Sequence, residues 1–247
     1  MKKYLSVFSL VARESLFRIS ALWVASAVIQ TVLFYFAVLS EDMKKTQLLY
    51  RAFEYKQWIS GAFALTLLLT GILLMKTGME FRTKTGYTLR RLRISERSIF
   101  LLQSTYNSLM LFLLLLFEFV FMFALMNFGK GFIDEKFITN QTVYTGFYIS
   151  DVLHNVFAGR DIVMVLRNIL MMLSLGFNLS AFSMAWRRGK KYIFGVLLLV
   201  IICFLFFAIN PGMNYDKTTD ITYIAISVLM LVSAVVINLR RSEDYDA

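Results

Sequence analysis

The chain has 247 residues, of which 58% are apolar, 16% aromatic and only 17% charged, where soluble domains carry about 25% charge. This balance excludes a disordered or collagen-like chain, and a single Cys and a single His exclude a disulfide scaffold and the usual zinc ligand set. The net charge of +10 is the kind that a membrane protein owes to its topology and to anionic lipid at the inner leaflet, so no nucleic-acid partner is needed to explain it.

Residues 2–18 come first. On a helical wheel Tyr4, Leu5, Phe8, Val11, Ala12 and Leu16 share one face, and Lys2, Ser6, Ser9 and Arg13 lie opposite. Such a segment lies in the membrane interface, either as a simple anchor or as an elbow that braces the helices behind it. It does not read as a cleaved signal peptide, because Arg13, Glu14 and Arg18 interrupt the stretch that should be continuously apolar.

Six apolar blocks follow, at about 19–39, 57–75, 99–126, 162–186, 192–209 and 221–239. A helix needs roughly 20 apolar residues to cross the hydrocarbon core. Runs such as "LMLFLLLLFEFVFMFALM" lack the alternation of barrel strands, and lipid satisfies no free backbone groups. The expected fold is therefore an all-α integral membrane protein, a single transmembrane domain of six helices over 1–247. The third block, 28 residues long, would reach roughly 42 Å at 1.5 Å per residue and should tilt or project from the bilayer.

Orientation follows from the basic residues. With both termini in the cytoplasm, 17 of the 26 Lys and Arg residues fall on inner segments. The inner loop 76–98 holds seven of them, against Glu80 and Glu96. Within it Leu89 and Leu92 form a short apolar ridge at helical spacing, surrounded by Arg90, Arg91 and Arg93. Gly86 suits the start or kink of a short helix, and Ser95 is placed to cap the next one. The outer loop 127–160 is rich in aromatics, Phe128, Phe132, Phe137, Tyr144, Phe147, Tyr148 and Phe157 among them. It is either packed at the interface or an outer gate, and His154 within it has no second His or Cys with which to act.

Three polar positions inside the spans are candidates for a translocation path, namely Asn107, Glu118 and Asn178. A carboxylate such as Glu118 in a span normally faces a partner or an aqueous cavity. Gln103, Ser104, Asn107 and Ser108 either line a cavity or bond neighbouring helices. Gly176 and Ser180, four residues apart around Asn178, fit close helix packing. Arg167 is expected to snorkel outward or to pair with an acid such as Asp161.

The loop 76–98 resembles the coupling-helix region of type-2 ATP-binding-cassette (ABC) exporter permeases, through Glu80, Arg82, Gly86, Thr88, Leu89, Leu92, Ile94 and Ser95. Tyr87 separates Gly86 from Thr88, and Arg93 stands where that family commonly has proline. The layout of an interfacial helix, six spans and two inner termini is similar too. The resemblance implies a permease that carries no ATPase site of its own and is no enzyme. ATP and Mg would be bound by cytoplasmic nucleotide-binding ATPase subunits, which would contact Glu80, Arg82, Gly86, Leu89, Arg90, Leu92, Arg93 and Ser95. It also implies a second permease subunit, the same or different, in a bacterial plasma membrane. The absence of a Gly-rich Gly-Lys-Ser/Thr loop from the sequence agrees with that division of labour. Two other functions are weighed against it. An ion- or proton-coupled secondary transporter would normally show several intramembrane ionisable groups and internal repeats. An intramembrane enzyme would need a nucleophile–base pair or a metal cluster, and the sequence offers neither.

Overall fold

The computed structural model describes residues 2–39, 57–77, 94–132, 162–189, 192–208 and 217–246. Six α-helices are found there: α1 (Lys2–Leu39), α2 (Gln57–Lys76), α3 (Glu96–Gly129), α4 (Ile162–Arg187), α5 (Phe194–Ala208) and α6 (Lys217–Asp246). A short 3₁₀ turn, Lys130–Phe132, follows α3. Five of the helices are long and apolar enough to cross a membrane, while α5 has 15 residues, or about 22 Å of helix. The chain is thus an all-helical, multi-pass membrane protein.

The distribution of side chains fits lipid as the outer solvent. Large apolar groups face outward along α1, α3 and α6, among them Val24, Val28, Leu116, Val120, Leu229 and Val232. Inside, the core contains Phe63, Leu67, Leu111, Leu114, Leu175 and Leu199, but also Gln30, Ser104, Asn107, Asn178 and Ser180, each fully buried. A buried polar group in such a setting must find its partner within the protein.

Those partners fix the helix directions. Along α3 and α4, Gln103 meets Ser183, Asn107 meets Ser180, and Ser108 meets the Leu173 carbonyl. One index rises as the other falls, so the two helices are antiparallel. Ser26 with Thr66 and Trp23 with Thr70 make α1 and α2 antiparallel in the same way. Ser15 with Tyr106 and Gln30 with Glu118 make α1 and α3 parallel. Asn178 receives Tyr192 from the start of α5, and it donates to the Met230 carbonyl of α6. With Arg167 on Asp220, that contact makes α4 and α6 parallel. α1 to α4 therefore alternate in direction, and α6 runs with α4. The start of α1, the end of α2, the start of α3 and the ends of α4 and α6 share one end of the bundle, which also carries Arg13, Arg18, Lys76, Arg97, Arg187 and Arg188.

The expected separate interfacial helix 2–18 is not bounded as such, because helix runs without interruption from Lys2 to Leu39. Val11, Ser15 and Ile19 are buried, whereas Leu16, assigned to the apolar face, is half exposed. The reason is a polar contact that the wheel does not weigh. The Ser15 hydroxyl pairs with the Tyr106 hydroxyl at 2.6 Å, and the ring of Tyr106 meets Phe8 edge-on. This turns the Phe8–Val11–Ser15 side of α1 toward α3.

α4 occupies the centre, packed against α2, α3, α5 and α6. Its closest approach is at Gly176, where an added Cβ would lie 2.6 Å from the backbone nitrogen of Ser108 and 2.8 Å from its Cα. At Gly71 an added Cβ would instead meet the tip of the Leu199 side chain, at 2.7 Å. Gly189, with φ of +68°, closes the end of α4 in the left-handed conformation that glycine tolerates. Since backbone cannot yield as a leucine tip can, Gly176→Ala should destabilise the bundle by about 1–3 kcal/mol, and Gly71→Ala by less. Thermal unfolding of the detergent-solubilised protein checks the order of the two.

Candidate functional site

At the basic end, α2 finishes in a turn whose last described residue is Thr77. A helix end leaves carbonyl groups without intrahelical partners. The Thr77 carbonyl is taken up by two side chains from other helices, Gln103 Nε2 of α3 at 2.7 Å and Ser183 Oγ of α4 at 2.9 Å. Gln103 Nε2 also lies 3.2 Å from Ser183 Oγ, and Arg187 Nη2 reaches Gln103 Oε1 at 3.4 Å. Thr77, Gln103 and Ser183 are all buried.

The other flank of the same loop is held as well. Ser95 caps α3 as the sequence leads one to expect, its side chain accepting from the Ser98 backbone nitrogen at 3.4 Å. The first residue of α3, Glu96, forms an ion pair with Arg188 at the end of α4. The last two turns of α4 thus grip the chain on both sides of residues 78–93. Glu80, Arg82, Gly86, Leu89, Arg90, Leu92 and Arg93 fall outside the described residues.

The three path candidates do not converge. Asn107 lies between α3 and α4 and donates to Ser180 Oγ at 2.9 Å. Asn178 faces the opposite side of α4, donating to the Ser174 and Met230 carbonyls and accepting from Tyr192. Glu118 is eleven residues along α3 from Asn107, about 16 Å by helical rise. It faces α1, where Gln30 Nε2 donates to its Oε1 at 2.9 Å and leads on to Ser26 and Thr66. Each candidate therefore binds helices together at its own interface. Gln103, Asn107 and Ser108 also take the helix-bonding role rather than lining one common cavity. Two buried atoms of the α3 seam, Ser104 Oγ and Asn107 Oδ1, make no hydrogen bond among the described residues.

Arg167 corrects the expectation of snorkelling. It is only 2% exposed and pairs with Asp220 of α6 at 2.6 Å, while the neighbouring Asn168 Oδ1 accepts from its Nε and Nη2. The parallel run of α4 and α6 brings Asp220 level with Arg167 inside the bundle, so the guanidinium has a counter-ion without reaching for water. Asp161, the acid next to it in sequence, lies outside the described residues.

Of the outer aromatic loop, only its beginning is described. Phe128 and Phe132 meet edge-on with centroids 5.4 Å apart, and Phe132 touches Tyr35 of α1 at 6.2 Å. That portion packs on the bundle; His154 and the later aromatics lie outside the described residues. Among the described residues, no group of three or more His, Cys, Asp or Glu side chains is placed to hold a metal ion.

Comparison with protein-family models, with curated proteins and with solved structures found no significant match.

Breaking the Arg167–Asp220 pair from one side leaves an uncompensated buried charge, which costs about 3–5 kcal/mol. Arg167→Met should therefore lower the unfolding temperature sharply. The double variant Arg167→Met/Asp220→Leu should recover most of the loss, as read by thermal unfolding of all three proteins side by side.

Proposed function

We propose that this chain is the permease subunit of an ATP-driven ABC exporter of the type-2 kind, coupled through the loop between α2 and α3 to separate cytoplasmic ATPase subunits. The observation that carries the reading is the double anchorage of that loop. Its two flanks, Thr77 and Glu96, are tied to one central helix by Ser183 and Arg188. A loop held in this way passes an external push to the bundle instead of absorbing it. The positive-inside rule supports a cytoplasmic position for this end and for both termini. The first turns of α1 then lie at the inner interface, where the resemblance puts an elbow helix.

In this reading α5 completes a sixth crossing, and the assembly includes a second permease subunit in a bacterial plasma membrane. ATP and Mg belong to the partner ATPase. Leu89 and Leu92 fill an apolar groove on it, and Arg90 and Arg93 hold orientation through carboxylates or lipid phosphates.

Glu118 favours a second reading, an ion- or proton-coupled transporter, because a buried carboxylate in a span is the usual mark of that class. Two measurements separate them. Under the leading reading, affinity purification of the chain from its native membrane brings down a nucleotide-binding subunit. Leu89→Glu/Leu92→Glu abolishes that capture while leaving the unfolding temperature within a few degrees of the parent. If instead the purified chain conducts protons into nucleotide-free liposomes, reported by an internal pH dye, and Glu118→Gln stops it, the second reading replaces the first.

A further inference from the structure

α4 is anchored differently at its two ends and touched most closely in between. At the basic end, Ser183 and Gln103 share the Thr77 carbonyl, and Arg188 pairs with Glu96. In the middle, the backbone of α4 at Gly176 rests directly on the backbone of α3 at Ser108. At the far end, Arg167 is locked to Asp220 of α6. Two residues from Gly176 toward the basic end, Asn178 is bonded to Tyr192, just before α5, and to α6. Gly195 packs so tightly there that an added Cβ would lie 2.7 Å from the Asn178 carbonyl oxygen.

From this arrangement we propose that α4 is a lever that carries movement of the cytoplasmic loop to the opposite end of the bundle, with Ser183 and Gln103 as positioning residues. The inference rests on the permease reading above and assigns the transmitting element within it. The fulcrum is the Gly176–Ser108 contact. The short arm runs to Ser183 and Arg188, about 10–18 Å away, and the long arm to Ile162, about 21 Å away by helical rise. Movement at the loop is therefore not diminished at the far end. Because Asp220 is fixed to the long arm and Met230 lies beside the fulcrum, α6 travels with α4.

The chemistry of the coupling points suits this role. The Thr77 carbonyl is backbone, so its position reports where α2 ends rather than which rotamer a side chain has taken. Two donors from two helices converge on it. Shifting α2 without shifting α4 would leave a buried carbonyl unpaired and the Ser183 hydroxyl proton without its acceptor, which is costly away from water. The interfaces on either side of α4 are bridged by polar pairs, Asn107 with Ser180 on one side and Asn178 with the Met230 carbonyl on the other, and packed interfaces switch between discrete arrangements rather than deform smoothly. The transmitted displacement is thus a movement of the whole helix.

The test uses the permease with its captured ATPase subunits. Cys203 is the only cysteine in the sequence, so Cys203→Ala gives a chain without native thiols, which is spin-labelled before the ATPase subunits are added back. Spin labels at Trp58→Cys and Ile162→Cys, both exposed and at the end far from the loop, report the α2–α4 separation by pulsed dipolar spectroscopy. A second pair at Ile162→Cys and Ile221→Cys reports α4 against α6. ATP with vanadate should shift the first distance and leave the second fixed. Ser183→Ala/Gln103→Leu should keep the ATPase bound and hydrolysing but lose the shift, and Ser183→Thr should retain it. If the double variant does not fold, Arg188→Glu and its charge-swapped partner Arg188→Glu/Glu96→Arg make the same comparison, with the shift lost in the first and regained in the second. A shift that survives these losses of contact overturns the lever, as does an unmoved parent bound to an active ATPase or a change in the α4–α6 distance. Those results leave the permease reading standing. Failure to capture any ATPase removes both.

Discussion

Everything in this bundle depends on the fact that lipid offers no hydrogen bonds. Gln30, Gln103, Asn107, Asn178 and Arg167 are buried in helices that face hydrocarbon, so each must be satisfied by another helix. The result is a set of helix pairings written in polar contacts, with apolar surface turned outward. Hydrophobic packing fills the space between them, but leucine against leucine inside a bilayer does little to choose one neighbour over another. The polar pairs make that choice.

α4 collects most of these contacts because it packs against α2, α3, α5 and α6, buries polar side chains such as Asn168, Asn178, Ser180 and Ser183, and also carries Gly176. Small side chains let α3 approach to backbone contact at Ser108, and the approach brings Asn107 within reach of Ser180 and Gln103 within reach of Ser183. Steric closeness and polar pairing reinforce each other here. A larger residue at 176 would push the helices apart and weaken hydrogen bonds that it does not itself make. The ion pair with Asp220 extends the same logic to α6. That helix is largely exposed on its outer side, with 17% of its spanning window buried, and it packs along α4, where the ion pair fixes its register.

The same economy bears on function. The permease proposed here, driven from outside the membrane, would have to be firm where force enters and able to move as blocks elsewhere. Ser183, Gln103 and Arg188 supply firm attachment on the flanks of the loop, while the outer faces of α1 and α6 carry exposed apolar side chains such as Val24 and Leu229. Glu118 stands apart from this system. Its bond to Gln30 and the chain through Ser26 to Thr66 join α1, α2 and α3 into one block, against which α4 and α6 can be displaced.

The sequence by itself determined the class of the molecule. Length of apolar runs, scarcity of charge and the asymmetry of Lys and Arg are one-dimensional properties, and the lipid environment reads them directly. They also located the helices, with α2 and α4 within a residue of their expected ends, and Ser95 as a cap, because capping is local. The partners of the polar residues were decided only by the tertiary structure. Asp220 is 53 residues from Arg167, and Gln30 is 88 from Glu118. Sequence proximity pointed instead to Asp161. The anchor at Thr77 was invisible for another reason: its working group is a backbone carbonyl, which every residue possesses, so residue type carries no trace of it. Likewise Ser15 shifted the inward face of α1 within its apolar wheel: Phe8, Val11 and Ala12 pack on the core as the wheel implies, but Leu16 is half exposed, since one buried hydroxyl pair across two helices outweighs the position of Leu16, which lipid accepts as readily as the core does.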